Sequence, residues 1–206
     1  MNKEEFINAD AELLEGIEAD IYEQLSPLID STVARMAALP EDATEAEMET
    51  ALAPLNDLLS STIGNTMFLR QQDVASLALS LASGRVPPMR SPAQLMESAR
   101  ISGETIASHF VRRSPSRWMR NLFGQTRQQV EAQVRAAIAS GVWAIAGEIQ
   151  QFTWDRPSQW RWYTKEDELV CSICRPLNDV VFTERKEKAH WSCRCECLPE
   201  NPSADG

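Results

Sequence analysis

Apolar residues recur at three- and four-residue steps through most of the first 150 positions, the pattern of helices that each bury one face. Phe6, Leu13, Leu14, Ile17, Ile21, Leu25 and Leu28 form the first stripe. Pro27 interrupts it, and Ser26-Pro27 reads as the cap and first position of a restarted helix. Thr32 to Leu39 reads as a further helical piece, stopped by Pro40. Thr44 and Glu47 have the spacing of a capping box, opening an amphipathic helix over 44–61 with Met48, Ala51, Leu52, Leu55, Leu58 and Leu59 on one side. A second helix over 65–82 is apolar round more of its circumference (Met67, Phe68, Val74, Leu77, Leu79, Leu81) and is expected to be the most buried. Ser83-Gly84 ends it, and Pro87-Pro88 makes a stiff turn.

Ser91-Pro92-Ala93-Gln94 is another start signal, leading to Leu95, Met96 and Ala99 and on past Ser102-Gly103 through Ile106 and Phe110. Ser114-Pro115 predicts a short helix with Trp118, Met119 and Phe123, ended by Gly124. The strongest period lies over 126–152, where Val130, Val134, Ile138, Val142, Ile145, Ile149 and Phe152 keep one face apolar for about seven turns. Then the texture changes. Trp154, Trp160, Trp162 and Tyr163 crowd into ten residues, and Val180-Val181-Phe182 has β character. The fold class expected is mainly α, a helical bundle with a small C-terminal zinc-binding, β-containing module. Its regions are an acidic helical part over 1–85, a helical part over 86–152 ending in the long helix, the Cys/His module over 153–199, and a frayed tail over 200–206.

Composition narrows the classes. With 206 residues, 43% hydrophobic and 24% charged, the chain has material for a core and is not disordered throughout. No run of 18 apolar residues exists, so no membrane partner is expected. Met1 to Phe6 carries neither a basic nor an apolar signal region, which points to a cytosol. The net charge of -10 is uneven: residues 1–50 hold 14 acids against Lys3 and Arg35, while 85–135 holds nine Arg against three Glu. The acidic end would repel nucleic acid. The basic stretch suits phosphate or an acidic protein face, and it is also what a solvated helix surface looks like.

The five cysteines all lie between Cys171 and Cys197. An odd, clustered set without a secretory signal argues for a metal site rather than disulfides. Cys171-Ser172-Ile173-Cys174 is followed, after fifteen intervening residues, by His190-Trp191-Ser192-Cys193-Arg194-Cys195. Each pair, Cys-x2-Cys and His-x2-Cys, sets two ligands on one tight turn, and two such turns make a closed tetrahedral site for a structural Zn2+. The candidate ligands are Cys171, Cys174, His190 and Cys193, with Cys195 as the alternative fourth. Cys197 stands outside the set, and reduced, buried cysteines without metal are the plain alternative. A catalytic zinc deaminase needs His-x-Glu, absent at His190-Trp191-Ser192, and a thioredoxin-like Cys-x-x-Cys needs a βαβ setting. His109 lies beside Phe110 with no nucleophile motif near it. No catalytic residue is expected. The tryptophans read as packing over a small module rather than as a base-stacking platform, although Arg156, Arg161 and Lys165 supply nearby charge.

The stretch from Trp162-Tyr163 through Val170-Cys171-Ser172-Ile173-Cys174 and Leu177-Asn178-Asp179 to His190-Trp191-Ser192-Cys193-Arg194-Cys195 resembles the C-terminal motif of the phage Mu F-like head-morphogenesis family. These are minor head proteins of tailed phages. Clear resemblance covers 160–195, with a weaker likeness back to about 90 that includes the long helix. The resemblance implies a virion protein of few copies at the portal vertex inside the head. It would act in head assembly or DNA delivery, with the portal protein and other head proteins as partners and at most nonspecific contact with packaged DNA. The implied place is the virion, and the host cytoplasm during assembly. The rival reading is a zinc-ribbon nucleic-acid-binding regulator using the basic stretch, against which stands a pI near 4.8.

Overall fold

The structure is a computed structural model and describes residues 1–40, 43–82, 84–98, 127–154, 157–164, 172–186 and 195–200. The helices predicted past Ala99 and from Ser114, together with His109 and most of the basic stretch, lie outside the described residues. The fold is mainly helical with one small antiparallel sheet. Helix α1 is Lys3–Ala37 and α2 is Glu45–Leu81. A short helical segment over 92–98 is α3, and α4 is Arg127–Thr153. Strands β1 (Trp160–Tyr163), β2 (Val181–Phe182) and β3 (Glu196–Pro199) follow, in the sheet order β2-β1-β3.

The expected break at Pro27 does not occur: α1 runs through it. Pro27 has no N–H to give to the carbonyl four residues back, a defect of about 3 kcal/mol in a helix interior. The apolar phase, however, is unbroken across it. Ile17, Ile21, Leu25, Ile29, Thr32 and Met36 are all buried, and each fully buried aliphatic side chain contributes about 1.5–3 kcal/mol. Likewise the helices predicted over 44–61 and 65–82 are one helix, α2, which passes through Pro54. Its buried positions Leu52, Leu55, Leu59, Ile63, Met67, Gln71, Val74 and Ala78 keep step throughout. Periodicity outweighs a single breaker.

The predicted caps are present. The Thr44 N–H and hydroxyl both donate to Glu47 Oε2, at 2.8 and 2.7 Å, and the Glu47 N–H returns to Thr44 Oγ1 at 3.4 Å. These bonds hold the Glu47 carboxyl below its ordinary range. At α3, Ser91 N–H donates to Gln94 Oε1 at 2.8 Å and Gln94 N–H to Ser91 Oγ at 3.4 Å.

Contacts divide the chain into two units. One, here the aliphatic unit, is Glu15–Arg70 with Arg90–Ile145. Its helices bury mainly Ile, Leu, Val, Met and Ala, with the small hydroxyl residues Thr32, Thr66, Ser98 and Ser140 among them. Within it α1 and α4 run antiparallel: Arg127 meets Asp30 at 2.9 Å, the Arg135 guanidinium lies over the Tyr22 ring at 3.4 Å, and the Trp143 indole N–H donates to Glu18 at 2.6 Å. Gly64 is buried where α3 comes close, and a Cβ there would stand 2.3 Å from Met96 Cγ and 3.0 Å from its backbone N. The acids of α1 in this unit, Glu15, Asp20, Glu23 and Asp30 among them, face outward.

The other, the aromatic unit, is Met1–Leu14, Gln71–Met89 and Ala146–Gly206. It holds the sheet and the Cys/His region. Two sequence expectations fail along the long helices. The second half of α2 is not the most buried helix, since Leu69 is 76% exposed, whereas α4 is buried continuously over 138–142. Phe152, assigned to the buried face of the long helix, is 50% exposed. The inward position falls four residues after Ile149, on Thr153, whose hydroxyl donates to the Ile149 carbonyl at 2.8 Å. Gly84 is required at its position. Arg85 N–H donates to the Thr153 carbonyl at 3.0 Å, and a Cβ on Gly84 would sit 1.9 Å from that same oxygen.

Candidate metal-binding module

The module begins where α4 ends. Trp154 turns inward and its indole N–H donates to the Ala78 carbonyl at 2.8 Å, a carbonyl at the end of α2 that also accepts the Ala82 N–H at 3.4 Å. Its ring packs on Phe6 at 5.8 Å and meets Trp160 edge-on at 6.0 Å. In β1 the side chains alternate, so Trp160 and Trp162 are buried while Arg161 and Tyr163 are partly exposed. The tryptophans therefore form the core of a small module, and their buried faces offer no stacking platform.

Strand β1 is central. On one side Trp160 pairs with Phe182 and Arg161 with Val181 of β2. On the other, Trp160, Arg161, Trp162 and Tyr163 pair with Pro199, Leu198, Cys197 and Glu196 of β3. Pro199 is tolerated because β3 is an edge strand. Arg161 clamps the end of β3, its Nε and Nη2 donating to the two Glu200 carboxylate oxygens at 2.5 and 2.8 Å. That forked bond holds the Glu200 carboxyl below its ordinary range.

The second half of the Cys-x2-Cys pair sits on a tight turn. Cys174 is fully buried and its carbonyl accepts from Leu177 N–H at 2.9 Å, while Ile173 beside it is 60% exposed. Pro176 fixes the short 3-10 turn Arg175–Leu177. Asn178 Oδ1 accepts from Thr164 N–H at 2.9 Å, and Asp179, at φ 62°, takes the left-handed conformation that Asp tolerates. Asp179 N–H then donates to Trp162 O at 2.8 Å and Trp162 N–H to Val180 O at 3.0 Å, which locks the turn onto β1.

Of the predicted ligands, Cys174 and the alternative Cys195 are described, and both are buried thiols in one cluster with Trp162 and Cys197. Cys171, His190 and Cys193 lie outside the described residues. Among the described residues no group of three or more Cys, His, Asp or Glu is arranged to hold a metal, and Cys174 and Cys195 are at most two of the four expected. Cys197, left out of the ligand set, is also interior: its sulfur accepts from Lys186 N–H at 3.4 Å, and burial pushes its thiol above the usual range. The module contains an orphan as well. Trp162 is 1% exposed and its indole N–H has no hydrogen-bond partner, a condition that costs about 1–3 kcal/mol.

One polar chain escaped the sequence reading. Arg185 Nη2 donates to Gln150 Oε1 at 3.0 Å, and Gln150 Nε2 donates to Asp10 Oδ1 at 2.7 Å. Arg185 Nη1 also donates to the Gly147 carbonyl. Asp10 and Gln150 are 1% and 2% exposed. Asp10 stands on the apolar stripe between Phe6 and Leu14, and an acid in that phase is the signal that could have found it.

No family model, curated protein or solved structure matches the chain. Among the described residues no helix is long and apolar enough to cross a membrane.

Proposed function

We propose that this chain is a minor head (capsid morphogenesis) protein of a tailed phage, bound at the portal vertex inside the head and acting in head assembly or DNA delivery. The reading rests on the motif resemblance over 160–195, and one observation carries it beyond spacing. The resembling segment opens in β1, and β3, which begins one residue after Cys195, returns to pair with it, so the two described ends of the segment lie on one sheet. Cys171, Cys174, His190 and either Cys193 or Cys195 would hold a structural Zn2+. The ion supplies a cross-link between two turns, in a module under fifty residues long that has little other core. Such a part is suited to binding rather than catalysis. Its partners would be the portal protein and other head proteins, with the 85–135 arginines meeting an acidic face of such a partner and at most nonspecific contact with packaged DNA.

Mass spectrometry of purified virions tests the assignment. The chain should be present at a low, fixed ratio to the portal. Its absence from virions, or tight sequence-selective binding to a short duplex, would overturn it in favour of a regulator. Metal analysis of protein purified without added zinc should return about one zinc per chain.

A further inference from the structure

Two leucines of the aliphatic unit stand in water along one line of α2. Leu58 is 48% and Leu69 76% exposed, and about three helical turns separate them. Ser61, Thr62 and Asn65 lie between them on the same side, and no charged residue occurs from Leu58 to Leu69. We infer that this face is a contact between two copies of the chain, laid antiparallel about a two-fold axis.

Charge selects the occupant. The chain carries a net charge of -10, and in the same unit α1 turns Glu15, Asp20, Glu23 and Asp30 outward. Copies meeting on α1 would bring like charges together, which opposes association. Across α2 they meet without that repulsion. A basic partner, by contrast, is drawn to the acids of α1 and not to this uncharged face. The order of residues also suits a two-fold, which needs a self-complementary surface. In an antiparallel pair centred at the level of Ile63 and Gly64, Leu58 of each copy lies beside Leu69 of the other. The same arrangement sets the Thr62 hydroxyl of each copy beside the Asn65 amide of the other. The face therefore reads leucine, small polar residues, leucine from either end. Ser61 brings no unpaired donor to it, because its hydroxyl donates to the Asp57 and Leu58 carbonyls of its own helix at 3.0 and 3.1 Å. Small side chains at the crossing let two helices approach closely. A face this short gives a weak, concentration-dependent dimer rather than an obligate one.

Sedimentation equilibrium of the full chain under reducing conditions tests this, with circular dichroism confirming that each variant is folded. Leu58 and Leu69 are exposed, so replacing them leaves the core intact. The wild type should dimerise as concentration rises, and more tightly at higher salt, which screens the acids of the two copies. Leu69→Glu should raise the dissociation constant about tenfold or more. Adding Leu58→Lys to the same chain should restore the dimer, since the two-fold brings position 58 of one copy to position 69 of the other. A dimer that Leu69→Glu leaves unchanged, a dimer that weakens with salt, or a double variant as weak as Leu69→Glu alone overturns the inference. So does a wild type that stays monomeric at every concentration, which leaves the face to a different protein. That last measurement needs no variant and decides alone should Leu69→Glu not fold.

Discussion

In the aliphatic unit, buried Ile, Leu, Val, Met and Ala follow one another by three or four residues along helices. In the aromatic unit, three tryptophans, three thiols and an Asp–Gln–Arg chain share the interior, and partners such as Asp10 and Gln150 stand 140 residues apart. The first kind of core is redundant. Each stripe residue contributes a similar increment, so even Pro27 and Pro54 are absorbed. The second depends on a few contacts with specific geometry, and loss of any one leaves a polar group or a large ring without its match.

The largest separation between the two should come from metal. On the zinc proposal, chelation or Cys174→Ser is expected to open the module, because structural zinc in zinc-finger peptides supplies on the order of 10–16 kcal/mol. Hydrogen exchange should then become fast in β1 and β3 while amides over 130–145 stay protected. Equal loss in both units would mean that the division has no energetic content. Next in size, Trp160→Ala should lower stability by about 3–5 kcal/mol in urea unfolding, whereas Ile138→Val in the aliphatic unit should cost only about 0.5–1.5. A smaller effect attends Gln150→Leu, which removes the link between Arg185 and Asp10 and should cost about 1–3 kcal/mol. An unchanged urea midpoint would show the polar chain to be dispensable. The smallest effect concerns acid. The Arg161 bond lowers the Glu200 carboxyl, so its contribution is complete above the ordinary Glu pKa and disappears as pH falls through the depressed folded value. Arg161→Ala should therefore lower the stability of β1 and β3 slightly at neutral pH, with the difference from the wild type disappearing in acid below the depressed Glu200 value.

The same contrast explains what the sequence made legible. Helical period, the Thr44–Glu47 and Ser91–Gln94 caps and the bounds of α4 within a residue were readable, because each is fixed by neighbours in the chain. The break assigned to Pro27 was wrong because a local penalty was weighed without the burial that offsets it, and the helices read over 44–61 and 65–82 are one. Phe152 was misplaced by one step of the helix, where 149 is followed inward by 153. The tryptophan core was readable from composition. Strand β3 was not: Glu196-Cys197-Leu198-Pro199 has little β propensity, and it becomes a strand by pairing with β1. The buried chain from Arg185 to Asp10 was equally out of reach, since no local pattern joins its members.

Trp154 and Trp160, set 6.0 Å apart with their planes at 62°, also form a pair of skewed chromophores. Electronic transitions of two indoles so placed couple, and the coupling gives a signed pair of circular-dichroism bands that separated rings do not produce. The aromatic unit thus carries its own optical signature, readable without any attached dye, and its extinction times the moment at which those two rings part.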